Sequence, residues 1–565
     1  MWQELTLTSN QTRSLCLRVI SLRLQSMLST EGSCLCFYPM KTVYFVFIFG
    51  ALLAGCGPHK NVAKGAESGV FRYAIATTPT TLDPGIVQDV DTADLLSNVY
   101  EGLVAYGEDN KIKPNLAESY TVENGGRTYI FSLKKGAKFH NGRLVTAQDF
   151  KWTIERNCDP SLKSSTADSY LGDIVGALDR IKGKATSISG IEAVNDLTLK
   201  ITIDKPRPYF LGKLTYPVAF VMAKEGVTSK EITSVSQSIG TGPFKMTSYV
   251  PDQEVRQESF KDYWGGAPKI DRIIRPIIKD AATRLNKYRA GELDFLGLER
   301  QDLAAIKADP VLSAQVKHVP RSAIYYVSMN QSIYAPFKDV RVRMAFAMSI
   351  DRKKIANGLL DQPEAKGFVP PGIIGARQAL AGIPFDPLGA KKLLEDAGFP
   401  DGKGLPQLTI SYREGRPDSQ ILAVGIVTDL RTNLGIDVKT KAMEWRSFLE
   451  ARNRKELQFA NQSWYADYLD PQNFLSLMMA TGSGENRDGY SNPEFDKLCA
   501  QADSSLDEAK RIKLYQKAED IAISDAARIP VYFAEDVNLI QPWVKGVRTN
   551  LFGLMPNRAV ETTQN

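Results

Sequence analysis

Histidine is scarce in this sequence, with His59, His140 and His318 the three among 565 residues. None of them stands at a metal-ligand spacing, and the six cysteines include no C-x-x-C pair. A metal centre of the common histidine or cysteine kinds is therefore not expected. The strand–G-x-S-x-G elbow, the phosphate-cradling G-x-x-x-x-G-K and the dinucleotide glycine fingerprint are all missing. Ser132-Leu133-Lys134-Lys135 matches S-x-x-K, but on a stretch that reads as a strand, where positions i and i+3 face opposite sides, and no K-T-G accompanies it. Gly240-Thr241-Gly242 is followed at once by Pro243, which has no N–H to offer a phosphate, so a tight turn at a strand start is expected there. The net charge is +6 and no long basic run occurs, which argues against a nucleic-acid partner. No cofactor, no metal and no catalytic constellation are expected; the chain does not read as an enzyme.

What is present begins with export. Residues 1–39 are rich in Ser, Leu and Arg without clean periodicity. Met40-Lys41 then opens an apolar run over 43–49, followed by small residues up to Cys56. One lysine, a short apolar core and a small-residue end make a secretory signal too short to span a membrane. Leu53-Ala54-Gly55-Cys56 resembles a bacterial lipobox, whose cysteine is diacylated and becomes the first residue. On this reading residues 1–39 are a misassigned upstream extension, 40–55 a lipoprotein signal peptide and 56–69 a polar tether. Cys158 and Cys499 lie far apart with nothing local to pair them, and two buried free thiols are expected.

Beyond the tether, strands and helices alternate. Strands are predicted at 71–75, 129–133, 197–203, 408–412 and 435–439. Helices are predicted over 91–100, from a capping-box-like Thr146/Asp149 to about Asn157, from Asp386-Pro387 to the stop at Gly398, over 420–433, from Asn492-Pro493, and over 512–523. Such alternation argues for an α/β class with mixed sheets, and the 43% apolar content suffices for two to four domains.

Ser463-Trp464-Tyr465-Ala466-Asp467-Tyr468-Leu469-Asp470-Pro471 sets Asp467 among aromatics. A carboxylate in such company is either a solvated loop residue or a charge held in a partly dry pocket for a cation. The pattern W-x-A-D-x-x-D-P resembles a motif of the extracytoplasmic solute-binding proteins of ABC importers, the oligopeptide/dipeptide/nickel-binding family 5. Gly240-Thr241-Gly242-Pro243-Phe244, Asp262-Tyr263-Trp264-Gly265-Gly266, Ala290-Gly291-Glu292-Leu293-Asp294 and Pro336–Arg343 running into Ser349-Ile350-Asp351-Arg352 continue the resemblance, which extends from about residue 71 to the C-terminus.

The resemblance implies a two-lobe periplasmic-binding-protein-like fold of the type II class, with mixed sheets, a hinge and an extra subdomain in the first lobe. Carried over, lobe I takes 70–325 (subdomain about 104–235) and regains 531–565, while lobe II takes 326–530. It further implies a monomeric, membrane-anchored protein of the periplasm or cell surface. Such a protein captures short peptides and delivers them to ABC permease and ATPase subunits. Asp467 is then expected to grip the peptide's amino group, with Trp464 and Tyr465 beside it. Arg413 and Arg416, just after a strand, are candidates for the carboxylate end, although a solvated loop is also open for them. Tyr325 and Tyr326 are core or ligand-facing, and backbone groups of 325–330 are expected to pair with the peptide as an added strand. The alternatives are a non-peptide solute such as a nickel chelate or haem, or a surface receptor that kept the fold.

Overall fold

In the computed structural model, which describes residues 67–548, 550–552 and 555–563, three sheets of four or more strands carry the chain. The expected upstream extension, signal peptide, Cys56 and most of the tether lie outside the described residues.

The first sheet has the order Val70–Arg72, Arg272–Pro276, Glu254–Ser259, Phe244–Val250, parallel at its first pair and antiparallel after it. Tyr73 and Ile75 carry the first strand on as isolated bridges, which is why the expected 71–75 strand is found shorter. Asp294 pins this region, accepting from the Arg72 backbone N–H at 2.7 Å and its guanidinium at 2.8 Å, and from Trp543 Nε1 at 2.9 Å. The second sheet is antiparallel, in the order Ala117–Glu123, Thr128–Leu133, Thr198–Thr202, Ile191–Asn195. Its apolar face, with Phe131, Leu199 and Ile201 fully buried, shares a core with the helix Ala147–Asn157. That helix starts in the expected capping box, the Asp149 carboxylate accepting from the Thr146 N–H at 2.8 Å.

The third sheet is mixed, in the order Phe295–Gly297, Arg528–Ile540, Val316–Met329, Phe459–Tyr465, Leu408–Arg413, Val438–Met443. Its central strand, Val316–Met329, is paired on both sides, to 459–465 and to 528–539. The expectation that 325–330 lends its backbone to a ligand is thereby corrected, because those ladder groups are already spent. An open edge exists next door instead. Phe459–Tyr465 meets the Leu408–Arg413 strand only at Phe459 and Ala460, so 461–465 keep one side unpaired with any strand.

Helices cover this sheet. Asp386 caps Pro387–Asp396, and Gly398 ends the run at φ +90°. Pro417–Leu434 starts earlier than expected and closes on Gly435 at φ +70°, a left-handed cap that delays the next strand to Val438. Pro493–Ser504 and Glu508–Ser524 follow, capped by Asn492 and Asp507. Cys158 and Cys499 are buried free thiols in separate apolar cores, out of each other's reach.

Two of the quoted motifs converge on one buried carboxylate. Glu101 accepts from Tyr263 Oη at 2.7 Å, and from Trp264 Nε1 and Thr241 Oγ1 at 3.0 Å each. Gly240 and Gly242 bring that threonine in. A Cβ on Gly240 would sit 1.9 Å from the Val99 carbonyl oxygen, so close backbone approach, not a tight turn, requires glycine there.

Candidate functional site

A cavity of about 1580 Å³ lies beside the mixed sheet, walled by residues 461–465 and Arg413 of its strands and, from elsewhere in the chain, by residues 88–91, Tyr106, Tyr170 and Phe552. Asp467, Trp464, Tyr465, Tyr325, Arg413 and Arg416 all line it. Tyr326 does not. Neighbouring residues of a strand face opposite sides, and Tyr326, 2% exposed, packs in the core with the Arg528 guanidinium 4.8 Å above its ring. A ligand-facing Tyr326 is thus corrected, and Tyr325 alone turns to the cavity, beside a bulge in the ladder between the two.

The turn Asp470-Pro471 explains how Asp467 is held. Asp470 caps the short helix Pro471–Asn473 and is itself gripped by both oxygens on the Arg511 guanidinium at 2.8 Å. The turn returns Asn473 beneath the motif, where its Oδ1 accepts from Trp464 Nε1 at 2.8 Å and from the Asp467 N–H at 3.2 Å. The Asp467 carboxylate receives the Tyr170 hydroxyl and, at 3.5 Å, Asn473 Nδ2. Both donors are neutral. Among the described residues no cation comes within ion-pair distance of it; the nearby Arg452 is taken by Glu485 at 2.5 Å. Burial pushes the Asp467 carboxyl up to about 7; the Tyr170 and Asn473 hydrogen bonds oppose the rise and the Glu485 charge adds to it. The result is a half-buried anionic group without a counter-charge.

The arginines meet a different arrangement. Arg413 lies over the Trp445 ring at 4.3 Å and donates to Asp91 at 3.0 Å and to Thr77 Oγ1 at 2.9 Å. Arg416 reaches the same Asp91 oxygen at 3.4 Å. Burial would raise the Asp91 carboxyl, but Arg413 and Arg416 together hold it well below the usual carboxylate range. Two guanidiniums against one carboxylate leave one positive charge unmatched at this wall. The solvated-loop alternative for these arginines does not apply to Arg413, whose side chain is 15% exposed.

Sequence reasoning missed Tyr170, Asp91, Trp445, Arg452 and Glu485. Tyr170 lies 297 positions from the aspartate it serves, and no local pattern links them. Trp445 alone had a local signal, a tryptophan opening an amphipathic helix, Trp445–Asn453.

The family model described as "Bacterial extracellular solute-binding proteins, family 5 Middle" matches residues 111–486. The dipeptide-binding protein DppE of Bacillus subtilis is 32% identical over 508 residues, covering 87% of this chain and 91% of that protein. The structure of the Escherichia coli murein tripeptide binding protein MppA superposes with a TM-score of 0.82 at 29% identity, covering 88% of this chain and 99% of that one. The unliganded open form of MppA, at the same identity and over 88% of this chain and 98% of its own, reaches only 0.65.

Proposed function

The chain belongs to the bacterial extracellular solute-binding proteins of family 5, and we propose that it captures short peptides outside the cytoplasmic membrane and hands them to an ABC permease. It has the two-lobe mixed α/β fold of that family. The lobe division we adopt is 70–325 with 531–565 against 326–530, which sets the cavity between the lobes and the paired long strands Val316–Met329 and Arg528–Ile540 at the hinge.

One observation carries the peptide reading: Asp467, a charge facing the cavity with neutral donors and no cation. A peptide ammonium is the partner it lacks. The unmatched positive charge of Arg413 and Arg416 suits the carboxylate end. The open edge of 461–465, all of it on the cavity wall, offers backbone groups to an added strand. DppE and MppA, which carry peptides in their names, support the same ligand class.

Calorimetric titration of tri-alanine and its N-acetyl form against wild type and Asp467→Ala tests this. Breaking a buried pair costs about 3–5 kcal/mol, an exposed one about 0–1. Acetylation should cost wild type the larger amount and the variant almost nothing further. Equal losses in both proteins would place the amine elsewhere.

Anchoring through a diacylated Cys56 is part of the proposal. Cys56→Ser should leave the protein folded and shift it from the membrane pellet to the soluble fraction; a variant that still sediments after a salt wash would remove the anchor.

A further inference from the structure

Residues 467–469 meet the segment 106–212 at three successive positions. The Asp467 carboxylate takes the Tyr170 hydroxyl, and the Leu469 N–H donates to Tyr106 Oη at 3.0 Å. Between them Tyr468 leaves the company of its chain neighbours. Ala466, Phe474 and Leu475 pack in the core that holds Tyr326 and Tyr515. Tyr468, fully buried, packs instead in the core of the second sheet, with Phe131 and Phe210. Its ring lies parallel to that of Tyr209 at 6.0 Å and edge-on to Tyr170 at 6.4 Å, and Tyr170 is itself stacked on Tyr216 at 4.0 Å.

Gly212, in the short helix Phe210–Lys213, completes this seat. A Cβ there would stand 2.7 Å from Tyr468 Cβ, with the Tyr106 hydroxyl next at 3.3 Å. Gly212 does not have a left-handed backbone, so the helix itself has no need of glycine. The missing Cβ serves the close approach of Tyr468. Neither Tyr468 nor Gly212 lines the cavity, so neither meets a ligand inside it. On the lobe division adopted above, Tyr468 belongs to 326–530, while Tyr170, Tyr209 and Gly212 belong to 70–325. Parting the lobes takes the ring out of its seat and takes the Tyr170 hydroxyl from Asp467 in the same movement. Burial of the ring is then gained only on closure. A ligand that needs the shut arrangement binds with an affinity scaled by the fraction of molecules able to adopt it.

We propose that Tyr468 and the seat at Gly212 form a latch between the lobes, which sets the affinity for every peptide alike without touching any of them. The inference rests on the peptide reading and on that lobe division. The test is calorimetric titration of tri-alanine and tri-alanine amide against wild type and Gly212→Ala, with melting curves of both proteins free of ligand. The added methyl should block the seat and weaken both peptides by one common factor, about tenfold or more. The unliganded variant should melt no lower than wild type, because alanine suits a helix better than glycine and the seat is empty while the lobes are apart. Tyr468→Phe, which keeps the ring and loses only the hydroxyl bond to Gln472, should bind as wild type does. Unchanged tri-alanine affinity in Gly212→Ala overturns the latch. A lower melting point of the unliganded variant overturns it too, since Tyr468 would then be a permanent part of that core. Unequal losses for the two peptides would put the effect on a ligand contact and overturn it as well. Failure of both peptides to bind wild type overturns the peptide reading and the latch's hold on affinity with it.

Discussion

A carboxyl held near neutrality for want of a cation makes binding depend on pH, and the sign at Asp467 can be worked out. With the cavity shut as it is here, the Asp467 carboxyl sits at about 7 because of burial, and on the proposed peptide reading a bound ammonium requires it ionised. Protons therefore compete with peptide below that value, and affinity should fall about tenfold between pH 8 and pH 6. Asp467→Asn should flatten this profile. Stability runs the other way. A carboxyl whose folded value lies above its unfolded value, about 3.9, favours the fold below the unfolded value and loses that favour as pH rises through 7. Unliganded Asp467→Asn should therefore melt higher than wild type at pH 8. Calorimetry and a melting curve check both halves, and a lower melting point would mean that the charge is matched without ligand. Asp467 was legible in the sequence because its neighbours form a motif. Its donor Tyr170 and the Asp91 that holds Arg413 were not, because both pairings are made only by the folded chain across more than 290 positions.

At the scale of elements, the periodic and capped segments were legible to within a few residues, since the cause of each lies in its own sequence. The capping box at Thr146 and the Asn492-Pro493 start are local chemistry. Strand neighbours were not legible: that Val316–Met329 is central and that 461–465 has an open edge depends on which distant strands arrive. The turn after Asp467 joins both cases, since Asp470 caps Pro471–Asn473 locally while its partner Arg511 lies 41 positions on. That ion pair is buried, with Arg511 side-chain exposure at 4%. Arg511→Ala should cost about 3–5 kcal/mol by leaving Asp470 unpaired, read as a lower urea midpoint. It should weaken tri-alanine binding as well, because Asn473 is placed by this turn. Asp470→Asn in the Arg511→Met background should recover part of the stability. A midpoint unchanged in Arg511→Ala would show that the pair contributes nothing net.

Across the whole molecule, several polar contacts among the described residues join the segments that meet over the cavity, and these can part. Asp91 and Thr77 hold Arg413, Arg446 donates to the Thr80 carbonyl at 2.8 Å, and Asn453 donates to Gln88 at 2.6 Å. On another side Tyr106 accepts from the Leu469 N–H at 3.0 Å, and Tyr209 stacks on Tyr468 at 6.0 Å. The polar links favour the shut arrangement by only the difference between these contacts and the water that replaces them, while Tyr468 adds apolar burial in the core that holds Tyr170 and Tyr209. The higher TM-score to one MppA structure, 0.82, than to its unliganded open form, 0.65, sets this arrangement apart from that open form. A ligand shifts such an equilibrium only through groups it touches in one state more than in the other. On the proposed peptide reading the unmatched positive charge of Arg413 and Arg416 is such a group, since Asp91 and a ligand carboxylate would neutralise it together only when the cavity is shut. Solution scattering should give a larger radius of gyration for the free protein and a smaller one with saturating tri-alanine. Tri-alanine amide, which lacks the carboxylate, should compact the protein only at higher concentration. The same radius with and without peptide would remove closure from this mechanism, and equal potency of the two peptides would remove the arginine pair from it.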